Sequence, residues 1–165
     1  MVQPTAEGDA TMTIDYQLPD KMLQTVVSPS MPGEQQTMLV GNRAFAGSAG
    51  AFEELLPQFS QSIVSEFQSS TNPENQKLGN FECLGKQTFE GKEYLAYRAS
   101  DTAKGDAGDI LARTIFVDEA TGLPAFNVVA AVSGKSDPVM KLAYTYPTDI
   151  EIVAPANAPV QRQPN

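Results

Sequence analysis

Polar and apolar residues alternate from Ala10 to Gln17, with Met12, Ile14 and Tyr16 on one side and Thr11, Thr13 and Asp15 on the other. That period of two predicts a half-buried strand. Pro19-Asp20 supplies a turn, after which Met22 to Val27 runs back as a second strand. Gln36 to Val40 and Arg43 to Ala46 flank Gly41-Asn42, residues that tolerate the positive φ of a tight hairpin. Further strands are predicted over Asn80–Phe89, Glu93–Ser100, Ile110–Asp118, Pro124–Ser133, Val139–Tyr146 and Asp149–Val153. The clearest hairpin is Ile115 to Phe126, IFVDEATGLPAF, where two apolar runs flank a turn built from Asp118, Thr121, Gly122 and Pro124. Ile115, Val117, Phe126 and Val128 are expected to share its inward face.

One region has a different period. Between Ala51 and Gln68 the residues Phe52, Leu55, Leu56, Phe59, Ile63 and Phe67 fall mostly three or four apart, the spacing of an amphipathic helix, with a break expected just before Pro57. Glu53 and Glu54 are then expected near its first turn, offsetting the helix dipole. The pattern predicts an α+β chain, mainly antiparallel β, of about nine or ten strands with one helical segment at about residues 51–68. A strongly twisted sheet of this size curls, and one helix over it encloses either a concave apolar space or an ordinary dry core. A length of 165 residues fits one domain, expected over residues 1–155, and the Pro- and Asn-rich remainder, 156–165, reads as an extended or disordered tail.

Composition narrows the chemistry. The chain has no His, which excludes a Ser–His–acid hydrolase, and its single Cys leaves no nitrogen or sulfur ligand set for zinc. Cys83 reads as a small core residue on a strand. Thr102 to Asp109 reads as a flexible connection, and Asp101, Asp106 and Asp109, close together in this Gly-containing loop region, lack the spacing of a calcium loop and read as solvated. Ser133-Gly134-Lys135 reads as a turn, and Asn72-Pro73 as part of a surface loop. The glycines are scattered, so no phosphate loop forms and no cofactor is expected. A net charge of −9 repels polyanions, which argues against nucleic acid. Cysteine poverty suits a cytosolic or an exported protein equally.

The order of motifs resembles the LolA-like superfamily of periplasmic lipoprotein carriers and lipid-binding lipoproteins. The resemblance is carried by DYQLPDKML (Asp15 to Leu23), MLVGNRAF (Met38 to Phe45), the helical region, LGKQTFEGKEYLAYR (Leu84 to Arg98), IFVDEATGLPAF and AYTYPTDIEIVAP (Ala143 to Pro155). It implies a curved half-barrel sheet closed by helix, whose cavity binds a lipid or an acylated protein without catalysis. Met12, Ile14, Tyr16, Met38 and Val40 would line the sheet, and Leu55, Phe59 and Ile63 the lid. The same resemblance implies a periplasmic or outer-membrane-associated protein whose signal segment is missing from this sequence. Carriers often have an Arg before the Pro of the first motif, where this chain reads Gln17-Leu18-Pro19. Only nine residues precede Ala10, where the family has a long helix and a strand. An exposed sheet edge is therefore expected to pair with a second copy in a homodimer. The alternative is an interaction, sensor or scaffold domain with a filled core.

Overall fold

A computed structural model of the chain describes residues 1–72, 74, 79–105, 108–134 and 136–162. Among these residues are eleven strands, nearly all in antiparallel ladders, and one α-helix, so the α+β class read from the pattern holds. Pro73, Asp106 and Lys135, named above as loop or turn residues, lie outside the described residues. The chain opens on β1 (Val2–Thr5), a strand too short and polar to stand out in the sequence. Two compact units follow, one made of Thr5–Lys77 with Pro147–Asn165, the other of Met1–Pro4 with Leu78–Tyr146.

The first unit is a meander of β2 (Gly8–Gln17), β3 (Lys21–Val27), β4 (Glu34–Val40), β5 (Arg43–Ser48) and β6 (Ala51–Glu54), followed by α1 (Pro57–Thr71). Its register places Tyr16 opposite Met22, Met22 opposite Leu39, and Leu39 opposite Ala44, one row on one face across four strands. Phe67 of the helix closes over this row, and Ile14, Leu55, Ile63 and Val64 pack around it. The small side chains of Ala44 and Ser60, both buried, let α1 approach closely, and the Ala44 N–H donates to Ser60 Oγ at 3.2 Å.

The reverse face carries Leu23, Met38 and Phe45 in register. No helix covers it. The chain after Tyr146 does so instead, with Ile152 buried against Met38 and Phe45, and Ile150, Ala154 and Ala158 beside it. The Ile152 N–H donates to Gln17 Oε1 at 2.8 Å. The segment then reaches the outer edge of β6, where the Glu54 N–H donates to Pro159 O and the Gln161 N–H to Glu54 O, each at 2.8 Å. The Pro- and Asn-rich end is thus extended and bonded at least this far, while Asp149–Val153, expected as a strand, packs as irregular chain.

The expected helix over 51–68 is corrected at both ends. Ala51–Glu54 is a strand, because Ala49 and Gly50 take positive φ and turn the chain back onto β5. A Cβ at Gly47 would lie 2.1 Å from Ala51 O, so the close approach of β6 depends on that glycine. The helix begins at Pro57, as the proline predicted, and runs on to Thr71. Glu53 and Glu54 therefore lie on a strand and have no part in the helix dipole.

The second unit pairs β1 with β11 (Met140–Ala143), then in turn β10 (Pro124–Ala131), β9 (Ile110–Val117), β8 (Lys92–Lys104) and β7 (Phe81–Phe89). One face holds Tyr94, Ala96, Phe116 and Val128, with Phe89 stacked on Phe116 at 4.5 Å and Phe126 edge-on to Phe89 at 5.1 Å. Such ring pairs add to plain area burial. Cys83 is exposed rather than buried, since β7 has only one partner strand and a bulge between Cys83 and Gly85 breaks its register. Strand β8 continues through Thr102–Lys104, taking in the start of the expected loop.

In the β9–β10 turn Asp118 Oδ1 accepts from the Ala120 and Thr121 N–H groups at 2.9 and 3.2 Å, and Gly122 takes φ +69°. Lys92 on the neighbouring β8 pairs with Oδ2. That bond first, and the turn's N–H groups with it, hold the Asp118 carboxyl below its usual range.

Ile152 is the anchor of the reverse face, so Ile152→Ala is expected to lower unfolding free energy by about 2–5 kcal/mol. Val153→Ala, at a position 62% exposed, should change it little. Urea unfolding of the two variants checks this, and equal effects would contradict the anchoring role.

Candidate functional site

Four positions expected to line a cavity, Ile14, Tyr16, Leu55 and Ile63, gather beneath or beside α1. Ile14, Leu55 and Ile63 pack on the cluster of Met22, Leu39, Ala44 and Phe67, and the Tyr16 ring lies 5.9 Å from Phe67. Met12 lies further along the same face of β2, its sulfur accepting from Gln24 Nε2 at 3.2 Å. Phe59 stays 51% exposed on the helix. Met38 and Val40 lie on the reverse face with Phe45 and Ile152. Met38 sits opposite Phe45, whereas Leu39 is the residue of β4 that faces the helix.

The other four positions belong to the second unit. Phe126 and Val128 join its aromatic face, as expected. Ile115 and Val117 do not, because Phe126 pairs with Phe116 and Val128 with Thr114, which turns the two residues to the opposite side of β9.

Directly under α1 the space is filled, with Leu39 and Ala44 almost wholly buried and Phe67 closing over them. Beside the helix's first two turns it opens into a cleft of about 640 Å³ against the β5–β6 end of the sheet. Its apolar wall is Leu55, Pro57, Val64 and Val160, and its polar wall is Asn42, Arg43, Glu54, Ser60 and Gln61. Leu55 and Val64 also pack on the buried cluster, so the cleft and the core share side chains. A volume of this size falls within the range of small-molecule sites, roughly 300–1,000 Å³.

A two-pronged ion pair crosses the cleft wall, with Arg43 Nε donating to Glu54 Oε1 at 2.9 Å and the guanidinium's Nη2 bonded to Oε2. Those hydrogen bonds hold the Glu54 carboxyl below its usual range and raise Arg43 further above its own. Arg43 also lies over the Phe45 ring, 5.0 Å from its centre. Of the cleft residues, sequence reasoning named only Leu55 as lining. Val64 stands four positions after Ser60, a helical spacing that marks it for the sheet-facing side. Arg43, Glu54 and Val160 have no such local signal, because β5, β6 and the C-terminal segment meet only in three dimensions.

Among the described residues no group of three or more acidic or Cys side chains is placed to hold a metal ion. Nor, among the described residues, is any helix long and apolar enough to cross a membrane. No protein-family model matches the chain, and no curated protein does so.

Because the folded carboxyl of Glu54 titrates below its unfolded value, the ion pair contributes stability above pH 4.5 and loses it as pH falls through the depressed midpoint. A site-resolved NMR titration is expected to place Glu54 below 4.5 and to return it towards that value in Arg43→Met. A Glu54 midpoint unmoved by the substitution would contradict the pairing.

Proposed function

We propose that this chain is a non-enzymatic binding protein that takes the acyl chain of a lipid or an acylated protein at the cleft beside α1. The observation that carries the proposal is the shared wall, in which Leu55 and Val64 line the cleft while packing on the core under the helix. An acyl chain entering there meets apolar surface continuous with Ile14, Ile63 and Phe67, and gains about 0.8 kcal/mol per buried CH₂. The helix is suited to yield. Its buried contact with the sheet is apolar, with the Ser60–Ala44 hydrogen bond at its first turn. The ion pair and Gln61 at the rim suit the polar end of such a ligand. The order of motifs that resembles the LolA-like superfamily supports the same ligand class and an extracytoplasmic, periplasmic or outer-membrane-associated location. In this reading dimer formation through a sheet edge is secondary. The open side of β7 is the candidate edge, although its bulge and its charged Glu82 and Lys86 oppose pairing.

A second reading rests on the filled space beneath the helix. With Leu39, Ala44 and Phe67 closing it, the unit is an interaction or scaffold module whose helix completes an ordinary core.

Titration with an environment-sensitive acyl probe separates the two. The binding reading expects saturable uptake, weakened about 10-fold, or about 1.4 kcal/mol, by Gln61→Trp, which fills the cleft from an exposed position. The unfolding midpoint of that variant should match the parent. Absence of saturable uptake, or uptake indifferent to Gln61→Trp, would sink the acyl-binding proposal and leave the interaction module.

A further inference from the structure

The second unit holds a different pocket, of about 170 Å³, on its aromatic face. Phe89, Phe116 and Val128 form its apolar wall, Pro138 closes on it from the connection after β10, and Arg98 and Thr114 are its polar members. Arg98 and Thr114 stand opposite each other across the β8–β9 ladder, so both side chains leave the sheet on this face. Arg98 is half-buried and makes no ion pair or side-chain hydrogen bond with the described residues.

Lys21, Lys104 and Arg162 have no such partner either, but of these four only Arg98 lines this pocket. Arg43, Lys86, Lys92 and Lys141 are all paired with carboxylates, and Arg113, on the reverse side of β9, rests over the Phe81 ring at 5.5 Å. Glu82 stands directly across the β7–β8 ladder from Arg98, yet no ion pair joins them. In a chain of net charge −9 an unpaired arginine beside an apolar pocket is not for want of acids. A guanidinium cannot shed its proton, and partial burial without a counter-ion is unfavourable. Its planar fork matches the two oxygens of a carboxylate.

We propose that this pocket binds a small amphipathic monocarboxylate, the carboxylate on Arg98 and Thr114 and a short apolar tail on Phe89, Phe116 and Val128. The volume corresponds to roughly six waters' share of the liquid, which fits a short-chain acid and excludes a folded peptide terminus. No residue lines both this pocket and the cleft beside α1.

The test is an NMR-detected titration of the whole chain with hexanoate, hexan-1-ol and hexylamine. Hexanoate is expected to bind saturably, with shifts centred on Arg98, Thr114 and Val128, hexanol at least about 10-fold more weakly, and hexylamine not at all. Arg98→Met should weaken hexanoate at least 10-fold, Arg98→Lys should retain part of the binding, and Arg113→Met, on the reverse face, should leave it unchanged. Equal binding of hexanoate and hexanol, shifts centred elsewhere, no saturable binding, or hexanoate binding indifferent to Arg98→Met would each overturn the proposal. If Arg98→Met does not fold, the alcohol comparison and the location of the shifts decide it.

Discussion

Consecutive residues of a strand point to opposite faces, and in the helix-bearing unit consecutive residues are apolar. Met38 and Leu39 are both buried, as are Ala44 and Phe45, so each face of this sheet needs its own cover. The helix supplies one through Phe67 and its neighbours, and the returning C-terminal segment supplies the other through Ile152. Most of the unit follows from that requirement. Gly47 draws β6 close, β6 leads into Pro57 and the helix, and the outer edge of β6 gives the returning segment a backbone rail. The cleft lies where the two covers approach each other, with Val64 from one and Val160 from the other in its wall.

The second unit is built on another balance. Its aromatic face packs rings against rings, with Arg98 and Thr114 as polar members beside Phe89, Phe116 and Val128. The charged side chains at the rim of that sheet pair with one another, as Lys92 does with Asp118 and Lys141 with Glu90. Such exposed pairs set geometry more than stability. The interest of this unit lies in Arg98, which has no carboxylate partner among the described residues and stands beside an apolar pocket.

Sequence legibility followed the locality of each signal. Strict alternation in β2 and the turn chemistry at Gly41 and Asp118–Gly122 are local, and each of those hairpins stands where the pattern placed it. The stretch Ala51–Glu54 failed because Phe52, Leu55 and Leu56 fit a helical period as well as a strand, and the arbiter was the close approach at Gly47. The run Ile115-Phe116-Val117 is apolar throughout, so nothing in it says which residue faces inward, and the pairing with β10 decided for Phe116. Cys83 has a core residue's chemistry but an edge strand's position. Of the cleft only Leu55 was legible, since Arg43 and Glu54 are brought together by the pairing of β5 with β6, and Val160 by a segment that reads in the sequence as a tail.

That returning segment also fixes an order of events. Phe45 emerges during synthesis long before Ile152, and every strand of the second unit except β1 is made in between. At roughly 5–20 residues per second the interval is on the order of ten seconds. Throughout it one face of the first sheet, with the phenyl ring that ends as its most deeply buried group, has no native cover. The unit made first is completed last, and its apolar reverse face is the surface that a nascent chain of this sequence must keep shielded.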